Sequence, residues 1–394
     1  MNILITVATY YPRKDGVQQV TKYLAEGLVK KGHHVEIVTT NKNIDIPNEI
    51  INGVNISRVN IYTKYGLYFG NKKEYKKLIE EKVKNVDVMI NVCTQHAFTD
   101  LLLNDLNKYN CKKVLYLHGI FDFRFHKIDF SSLTSTINKI WKEIRWYIYY
   151  KINKNNFKKY DLVTQLHEKD YGNIYFKNKY RINSTIIENA AENEFFENHT
   201  EADFKKPFDR YIINVANYND RKNQKLAIKE FLKADIPQDV GLVLIGSSKN
   251  GYYDHLEKYI KFEKEKMNLK DNEKRILLLH DIDRKYISSY VNNSYLYIMT
   301  SKWEAYPISL TEAMAAGIPF ISTDVGIVRY FFGGIIASKN DIHYWIEKLC
   351  LNSEIRNAMG KVGNIYAKQN LKIQDKIDLL ENKLLEIVKG GYNG

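Results

Sequence analysis

The stretch Trp303–Ile318, WEAYPISLTEAMAAGI, runs directly into Pro319–Gly326, PFISTDVG. It predicts a loop, a helix that begins near Ser309, a turn and a short strand. Most residues of Thr311–Ala316 are good helix formers, and Gly317 before an Ile-Pro pair supplies the C-terminal stop. The stretch is therefore one loop–helix–strand unit of an α/β fold.

Two glutamates, Glu304 and Glu312, stand eight residues apart around the start of this helix. A hydroxyl and free backbone amides at a helix start form a ready anion site. Glu304 precedes that site, and Glu312 lies about one turn inside the helix. A phosphate held there would have one carboxylate towards each side. This arrangement suits a sugar nucleotide, whose two ends are rich in hydroxyls and whose middle is a diphosphate.

The rest of the chain predicts two successive α/β halves. The first opens with the strand Ile3–Val7, a polar loop, a helix and the strand Val35–Thr39, and the second with the strand Tyr211–Val215 and the helix Gln224–Lys233. Such units open doubly wound parallel sheets. Further strands are predicted at Asp87–Val92, Lys113–Leu117, Leu162–Gln165, Ser184–Ile187, Val240–Ile245, Ile276–His280, Leu296–Met299 and Phe320–Ser322, and further helices at Ala97–Tyr109 and Asp254–Met267.

These halves predict two domains, 1–188 and 208–369. The junction, 189–207, is polar and acidic and ends on Pro207, which indicates a linker. The C-terminal segment, about 370–394, is predicted to contain a helix that packs back on the N-terminal domain.

Composition indicates a globular protein and excludes several kinds of site. The 394 residues are 44% hydrophobic and 27% charged. The three cysteines are far apart, which argues against a disulfide framework or a zinc site and favours a reducing cytoplasm. The N-terminal apolar run is too short for a signal peptide or a membrane span. The net charge of +13 favours anionic partners, namely nucleic acid, acidic membranes or phosphorylated substrates.

A loop with one glycine, Tyr10–Gly16, precedes the first predicted helix. Gly16 would let a diphosphate or an acceptor approach the helix N-terminus. The alternative is an ordinary turn glycine, and that alternative is favoured when the glycine is taken alone. Neither a G-x-G-x-x-G nor a G-x-x-x-x-G-K-[ST] motif is present. A dinucleotide oxidoreductase and a P-loop enzyme are therefore disfavoured.

His118 follows the predicted strand Val114–Leu117. In doubly wound folds the C-terminal ends of the strands face the ligand crevice, so this histidine would point at substrate. It would hydrogen-bond a sugar hydroxyl or stabilise charge in the transition state. A histidine that only satisfies loop carbonyls is an equally open alternative. Arg124, His126 and Lys127 are expected to add positive charge beside the same crevice.

The loop Asn217–Gln224, NYNDRKNQ, follows a predicted strand and carries Arg221 and Lys222. Both cations are placed to neutralise a phosphate. The alternative is a solvated loop, which is favoured more for Arg221 than for Lys222. No D-x-D pair ends an apolar strand, so neither a bound divalent metal nor a cofactor is expected. Lys222 and helix N-termini would then offset the charge of a diphosphate.

The segment 137–160 predicts a helix with two distinct faces. Ile137, Ile140, Trp141, Ile144, Ile148 and Ile152 fall on one face, and Lys142, Arg145, Trp146 and Tyr149 fall on another. The second, basic and aromatic face suits an anionic membrane surface. The alternative is a solvated helix whose rings cover the domain core.

These features resemble the retaining glycosyltransferase family 4, which has the GT-B fold. The strongest likeness is the E-x7-E spacing of Glu304 and Glu312. Supporting segments are Gly32–Thr40, GHHVEIVTT, Leu117–Gly119, LHG, and Ile187–Phe196, IENAAENEFF, which is similar to the family's interdomain I-P-N-G-V-D segment. The resemblance covers nearly the whole chain. It implies two Rossmann-like doubly wound domains that face a central cleft.

The resemblance also implies roles for single residues. Glu304 would contact the donor sugar, Glu312 the ribose hydroxyls and Lys222 the diphosphate. Backbone amides of the turn that holds sugar and phosphate would come from Tyr306, Ile308 and Ser309, since Pro307 has no amide hydrogen. The remaining roles fall to Gly16, which would close over the diphosphate, to Ile282, whose backbone would pair with the base, and to His118, which would face the reaction centre.

Some positions depart from the family pattern. Asn217 stands where the family has an arginine before Lys222, so one of two phosphate cations is missing. Arg221 could substitute for the missing cation, so Asn217 and Arg221 are kept among the candidate donor-binding residues, although the position of Arg221 in the loop is expected to aim its side chain elsewhere. The usual glycine pair is Asp15-Gly16 here, which brings a negative charge near the phosphate site.

The expected function is metal-independent transfer of a sugar, with retention of configuration, from a nucleotide diphosphate sugar, taken as a UDP-sugar. The acceptor would be a hydroxyl of a glycan or lipid-linked glycan in the synthesis of polysaccharide, lipopolysaccharide or oligosaccharide. The expected location is the cytoplasm, peripheral to the inner face of the membrane. The alternatives are an inverting transferase or a sugar-nucleotide epimerase. A nucleic-acid-binding protein is weaker, because lysines and aromatic residues are not interleaved on a recognisable module.

Overall fold

The computed structural model describes residues 1–13, 15–42, 44, 46–64, 66–120, 125, 130 and 132–390. These residues form two compact units. Unit 1 is Met1–Glu188 together with the C-terminal segment from Ile377, and unit 2 is Asn189–Lys376. Each unit is built around one mainly parallel sheet with helices, which confirms the predicted α/β class.

Unit 1 contains an eight-stranded sheet within the described residues, in the order β10-β9-β8-β7-β1-β2-β4-β3. All neighbouring strands pair in parallel except β3, which is antiparallel to β4 at the edge. The strands are β1 Asn2–Thr6, β2 His34–Thr40, β3 Asn48–Ile51, β4 Val54–Val59, β5 Ile61–Lys64, β6 Leu67–Gly70, β7 Val88–Val92, β8 Lys112–Tyr116, β9 Leu162–Gln165 and β10 Thr185–Ile186, of which β5 and β6 form a separate hairpin.

The helices of unit 1 cover this sheet and bury its apolar strands. They are α1 Gly16–Lys30, α2 Lys72–Lys82, α3 Ala97–Asp100, α4 Leu133–Ile152, α5 Lys154–Phe157 and α6 Tyr171–Tyr175. Every residue of β7 is buried, which is typical of a central parallel strand covered on both faces. Its one polar residue, Asn91, is satisfied because its side chain donates to Thr6 and accepts from the Tyr160 hydroxyl.

Unit 2 contains a six-stranded parallel sheet among the described residues, in the order β13-β12-β11-β14-β15-β16. Its strands are β11 Arg210–Val215, β12 Val240–Gly246, β13 Ile276–His280, β14 Leu296–Met299, β15 Phe320–Ser322 and β16 Gly334–Ile336. Its helices are α7 Asn193–Phe196, α8 Gln224–Lys233, α9 Gly251–Lys266, α10 Arg284–Asn292, α11 Ile308–Ala315, α12 Ile342–Leu351 and α13 Ser353–Asn370. This strand order is the one of the doubly wound dinucleotide-binding fold.

The C-terminal helix α14, Ile373–Lys389, contributes its residues from Ile377 onwards to unit 1. Ile377, Leu380 and Leu384 are buried there. Ile377 packs where a side chain on Gly27 of α1 would lie. At the end of α1, Lys31 pairs with Asp378 and Glu381 of α14. The helix is therefore attached to unit 1 by an apolar face and by an ion-pair cluster.

The structure differs from the sequence prediction in several elements. Strands β3 to β6 and helix α2 were not predicted. Strands β3 and β6 were missed because they have many exposed positions and lack a continuous apolar run. The helix predicted over Ala97–Tyr109 is wrong in length. It ends at Asp100, and the chain continues in tighter turns whose hydrogen bonds span three residues, as from Asp105 to Leu102.

The segment 189–207, expected as a linker, lies in unit 2. Its short helix α7 buries Phe195 in the apolar cluster beneath α11. Next to α7, Ala191 donates its N–H to Leu371 at the end of α13. The segment is polar overall, but a few of its residues are buried and attach it to unit 2.

Candidate active site

The site of unit 2 lies where the strand order reverses. Strands β11 and β14 are neighbours in the sheet, with Ile212 opposite Leu296, and the chain leaves them for opposite sides of the order. In open α/β sheets, ligands bind at the C-terminal ends of the strands at such a switch point. The loops 216–223 and 300–307 follow these two strands. Lys222 and Glu304 are therefore brought to one place from distant parts of the chain.

Lys222 and Glu304 form an ion pair at this point. The Nζ of Lys222 lies 2.5 Å from Oε1 of Glu304, and their side chains are 18% and 9% exposed. The backbone N–H of Lys222 donates to the side-chain oxygen of Asn219 and so holds the loop before Lys222. Asn223, at a φ of +53°, then turns the chain into α8, and the Thr300 hydroxyl donates to the Asn223 carbonyl. The cation is thus fixed to the end of the neighbouring strand β14.

A glycine keeps the Glu304 loop in place. Gly326 of the TDVG segment has a φ of +53°, and a Cβ on it would overlap the carbonyl oxygens of Glu304 and Ala305. Only glycine allows both this backbone conformation and this approach. The second half of the opening stretch therefore supports the first half.

The start of α11 presents unpaired amides beside the ion pair. The N-terminal cap is Pro307, which provides no side-chain hydrogen bond. The N–H groups of Ile308 and Ser309 have no acceptor among the described residues, whereas that of Leu310 donates to the Pro307 carbonyl. The side chain of Asn189 donates to the Tyr306 carbonyl at 3.0 Å. The turn is held in position while its amides remain available for an anion.

Glu312 is buried in α11 and bonded to Arg284 of α10, which also binds Glu192 at 3.0 Å. Burial raises the pKa of Glu312, and the charge of Arg284 opposes this shift. Burial lowers the pKa of Arg284, but the two carboxylates more than reverse this effect and raise it. Neither Arg284 nor Glu192 was predicted. The signal for Arg284 is its position just after β13, at the ligand edge of the sheet.

The other predicted residues of unit 2 lie around this group. Asn217 is exposed, and its carbonyl accepts from the buried side chain of Gln224. Arg221 is exposed, with its guanidinium over the Trp303 ring at 5.5 Å, so it lies outside the Lys222–Glu304 pair. Ile282 is half-buried in the short loop between β13 and α10.

The two predicted residues of unit 1 lie at the C-terminal edge of its sheet. Gly16 begins α1, whose N-terminus is capped by the Asp15 carboxylate through the Gln18 N–H. His118 follows β8, and burial lowers the pKa of its imidazole to about 4. Its Nε2 is buried without a partner among the described residues. Burial thus favours the neutral form of the imidazole near pH 7. Arg124, His126 and Lys127 lie outside the described residues.

Two family models match the chain, one in each unit. The model described as Glycosyltransferase Family 4 matches residues 14–164, and the model described as Glycosyl transferases group 1 matches residues 195–364. The chain belongs to the family 4 type of GT-B glycosyltransferases. The predicted family and the predicted enzyme class are confirmed.

Two relatives agree with this assignment. The chain is 32% identical over 131 residues to the UDP-Gal:α-D-GlcNAc-diphosphoundecaprenol α-1,3-galactosyltransferase of Escherichia coli. This alignment covers 30% of this chain and 33% of the relative. It is 20% identical to the N-acetyl-α-D-glucosaminyl L-malate synthase of Bacillus anthracis over 98% of both chains. The alignment to the first relative thus spans only a third of that enzyme's length.

The solved structures support the fold. A sucrose-phosphate synthase from Thermosynechococcus elongatus superposes with a TM-score of 0.72 at 16% identity, covering 98% of this chain and 99% of that structure. The predicted GT-B architecture of two Rossmann-like domains is confirmed. In the described residues no group of three or more His, Cys, Asp and Glu side chains is arranged to hold a metal ion.

Replacing Gly326 tests whether its close approach to the Glu304 backbone supports the Glu304 loop, or whether only the strain of a positive φ matters. We expect Gly326→Ala to lower transferase activity about tenfold or more, because the new Cβ displaces the loop. Gly317→Ala is the matched control, since Gly317 also has a positive φ of +70° but its Cβ would meet nothing closer than 3.7 Å. That control should lose about 1 kcal/mol of stability with little loss of activity. Equal activity losses in the two variants would contradict the supporting role.

Proposed function

We propose that this glycosyltransferase moves a sugar from a UDP-sugar to a hydroxyl of a lipid-linked glycan, with retention of configuration and without a metal. The observation that carries the proposal is the Lys222–Glu304 pair beside the free amides of α11. A diphosphate needs positive charge and N–H donors, and a sugar needs a carboxylate acceptor. Both requirements meet within this one group.

Donor binding would exchange the partners of this pair. Without donor, Glu304 neutralises Lys222. A diphosphate carries more negative charge than one carboxylate and would take over the ammonium group, helped by the N–H groups of Ile308 and Ser309. Glu304 would then be free to accept hydrogen bonds from sugar hydroxyls. Lys222 would stabilise the leaving diphosphate as its charge develops.

Glu312 is suited to the ribose because Arg284 holds only one of its oxygens. The hydrogen bond of Arg284 ends on Oε1, and no donor to Oε2 is found among the described residues. A carboxylate can accept several hydrogen bonds, so Oε2 would remain for a ribose hydroxyl. Arg284 also favours the ionised, accepting form of Glu312 against the effect of burial. Arg284 is therefore a positioning residue in this proposal.

The names of the relatives support the choice of substrates. The Escherichia coli enzyme is named for a UDP-Gal donor and for an acceptor linked to diphosphoundecaprenol. We take from it the uridine-linked donor and the lipid-linked acceptor. His118 of unit 1 has a neutral ring, and its Nε2 has no partner among the described residues, so it is a candidate to hydrogen-bond a sugar hydroxyl.

The partner exchange makes a prediction that separates the roles of Lys222 and Glu304. We expect Lys222→Met to weaken UDP binding about tenfold to a hundredfold, because a charged hydrogen bond to the diphosphate is lost. Glu304→Gln should bind UDP as tightly as the parent or more tightly, since the competitor for Lys222 is removed, yet it should lose most sugar transfer. Isothermal titration calorimetry with UDP and a transfer assay give both values.

Arg221→Met is the matched control for this experiment, because it removes a neighbouring cation that packs on Trp303. It should change UDP affinity no more than about twofold. Equal losses in Lys222→Met and Arg221→Met, or a loss of UDP binding in Glu304→Gln, would contradict the proposed roles. Thermal unfolding of each variant shows whether the fold is intact.

The transfer reaction itself tests retention and metal independence. UDP-sugars that raise the melting temperature would be offered with diphosphoundecaprenol-linked sugar acceptors. We expect a product with the anomeric configuration of the donor by proton NMR, and an unchanged rate in EDTA, because Lys222 and the α11 amides supply the positive charge. An inverted anomer, or a rate that falls in EDTA and returns with a divalent metal ion, would refute those parts of the proposal.

A further inference from the structure

One face of α4 is apolar and points to solvent. We name it the α4 apolar face, and it consists of Leu133, Ile137, Ile140, Trp141, Ile144, Tyr147, Ile148 and Ile152, which are all exposed. Trp141 is 67% exposed and Ile152 is 71% exposed. At 100° per residue these eight side chains fill an arc of about 140° along the whole helix. Exposed apolar surfaces of this extent mark interaction sites.

The opposite face of α4 is fixed to unit 1 by aromatic residues. Tyr150 is fully buried, and its hydroxyl bonds Thr94 at 2.9 Å. The Tyr149 hydroxyl donates to Asp100 at 2.5 Å, and the Trp146 ring packs edge-on against Tyr149. These anchors determine which face of the helix points outward. Tyr149 belongs to the basic and aromatic face that was predicted to meet a membrane, but it packs on the domain, so the prediction is wrong for Tyr149. Lys142 of the same face is exposed.

Exposed lysines lie on α4 and directly after it. Lys142, Lys151, Lys154 and Lys158 are all exposed. Among residues 132–160, which the structure describes, the only carboxylate is Glu143, and it is paired with Lys139 at 2.6 Å. The four lysines have no carboxylate partner within the described part of the chain. An occupant of this face must therefore be apolar and also carry negative charge.

We propose that the α4 apolar face docks on the surface of an anionic lipid bilayer. An apolar stripe that contains tryptophan and tyrosine, flanked by lysines, fits the boundary between headgroups and acyl chains. No helix that the structure describes combines the length and the apolarity needed to span a bilayer, and α4 would lie in the plane of the interface. A second copy of this chain would bring the same lysines together, which disfavours self-association through this face. The proposal is independent of the donor and the acceptor.

The test measures binding of the full chain to vesicles by flotation. We expect the parent to float with phosphatidylglycerol–phosphatidylcholine vesicles and to bind pure phosphatidylcholine vesicles much more weakly. The double variant Ile144→Glu with Ile148→Glu should lose about tenfold or more of that binding. The control carries the same two changes at Ile355 and Ile365 of α13, whose exposures of 49% and 47% match the 46% and 47% of Ile144 and Ile148. The control should bind like the parent.

Two further measurements separate the contribution of the lysines from the insertion of the apolar face. Lys151→Gln with Lys154→Gln should weaken binding to the anionic vesicles about tenfold, with little effect on neutral vesicles. Brominated lipids should quench Trp141 fluorescence, so that Trp141→Phe removes most of the quenching and Trp146→Phe preserves it. These readouts depend on the face that inserts, not on folding or catalysis.

Three results would overturn the proposal. The first is a parent that stays unbound with anionic vesicles, or a double variant that floats as well as the parent. The second is a Trp141 already shielded from acrylamide in the vesicle-free protein, which would mean that the protein itself covers the face. The third is a dimer, detected by analytical ultracentrifugation, that dissociates in the Ile144→Glu, Ile148→Glu variant without vesicle binding, which would assign the face to self-association.

Discussion

The site of unit 2 depends on one ion pair, between Lys222 and Glu304. Both groups are largely withdrawn from water, so each would be costly to leave without a partner. The strand order brings them together, because the loops after β11 and β14 meet only where the sheet reverses its direction of growth. The pair therefore connects the fold to the chemistry. In the proposed function, a diphosphate that binds Lys222 would release the Glu304 carboxylate to accept hydrogen bonds from the sugar.

The surroundings of the pair keep it in place. Gly326 lets the TDVG segment pass against the Glu304 backbone, and Asn189 fixes the turn before α11. Arg284 holds the side chain of Glu312 through an ion pair. These supports are themselves buried or spatially fixed, as precise placement of binding groups requires. The candidate donor site is thus a set of short loops, each held by a residue from another part of unit 2.

The sequence predicted the parts of the site that are local in the chain. Glu304, Glu312 and the α11 turn lie in one stretch, and the buried strands were recognisable as apolar runs. Arg284 could not be paired with Glu312, because 28 residues separate them and only the folded sheet brings them together. Edge strands such as β3 were missed because half of their positions are exposed. For α4, periodicity separated two faces, but only the contacts of Tyr149 and Tyr150 show which one is inside.

The most direct test of the account is a crystal structure of this glycosyltransferase with UDP bound. We expect the diphosphate within hydrogen-bond distance of Lys222 Nζ and of the Ile308 and Ser309 N–H groups. We also expect a ribose hydroxyl on Oε2 of Glu312, and Glu304 separated from Lys222. A diphosphate bound elsewhere, or a Lys222–Glu304 pair that stays intact beside bound UDP, would contradict the account.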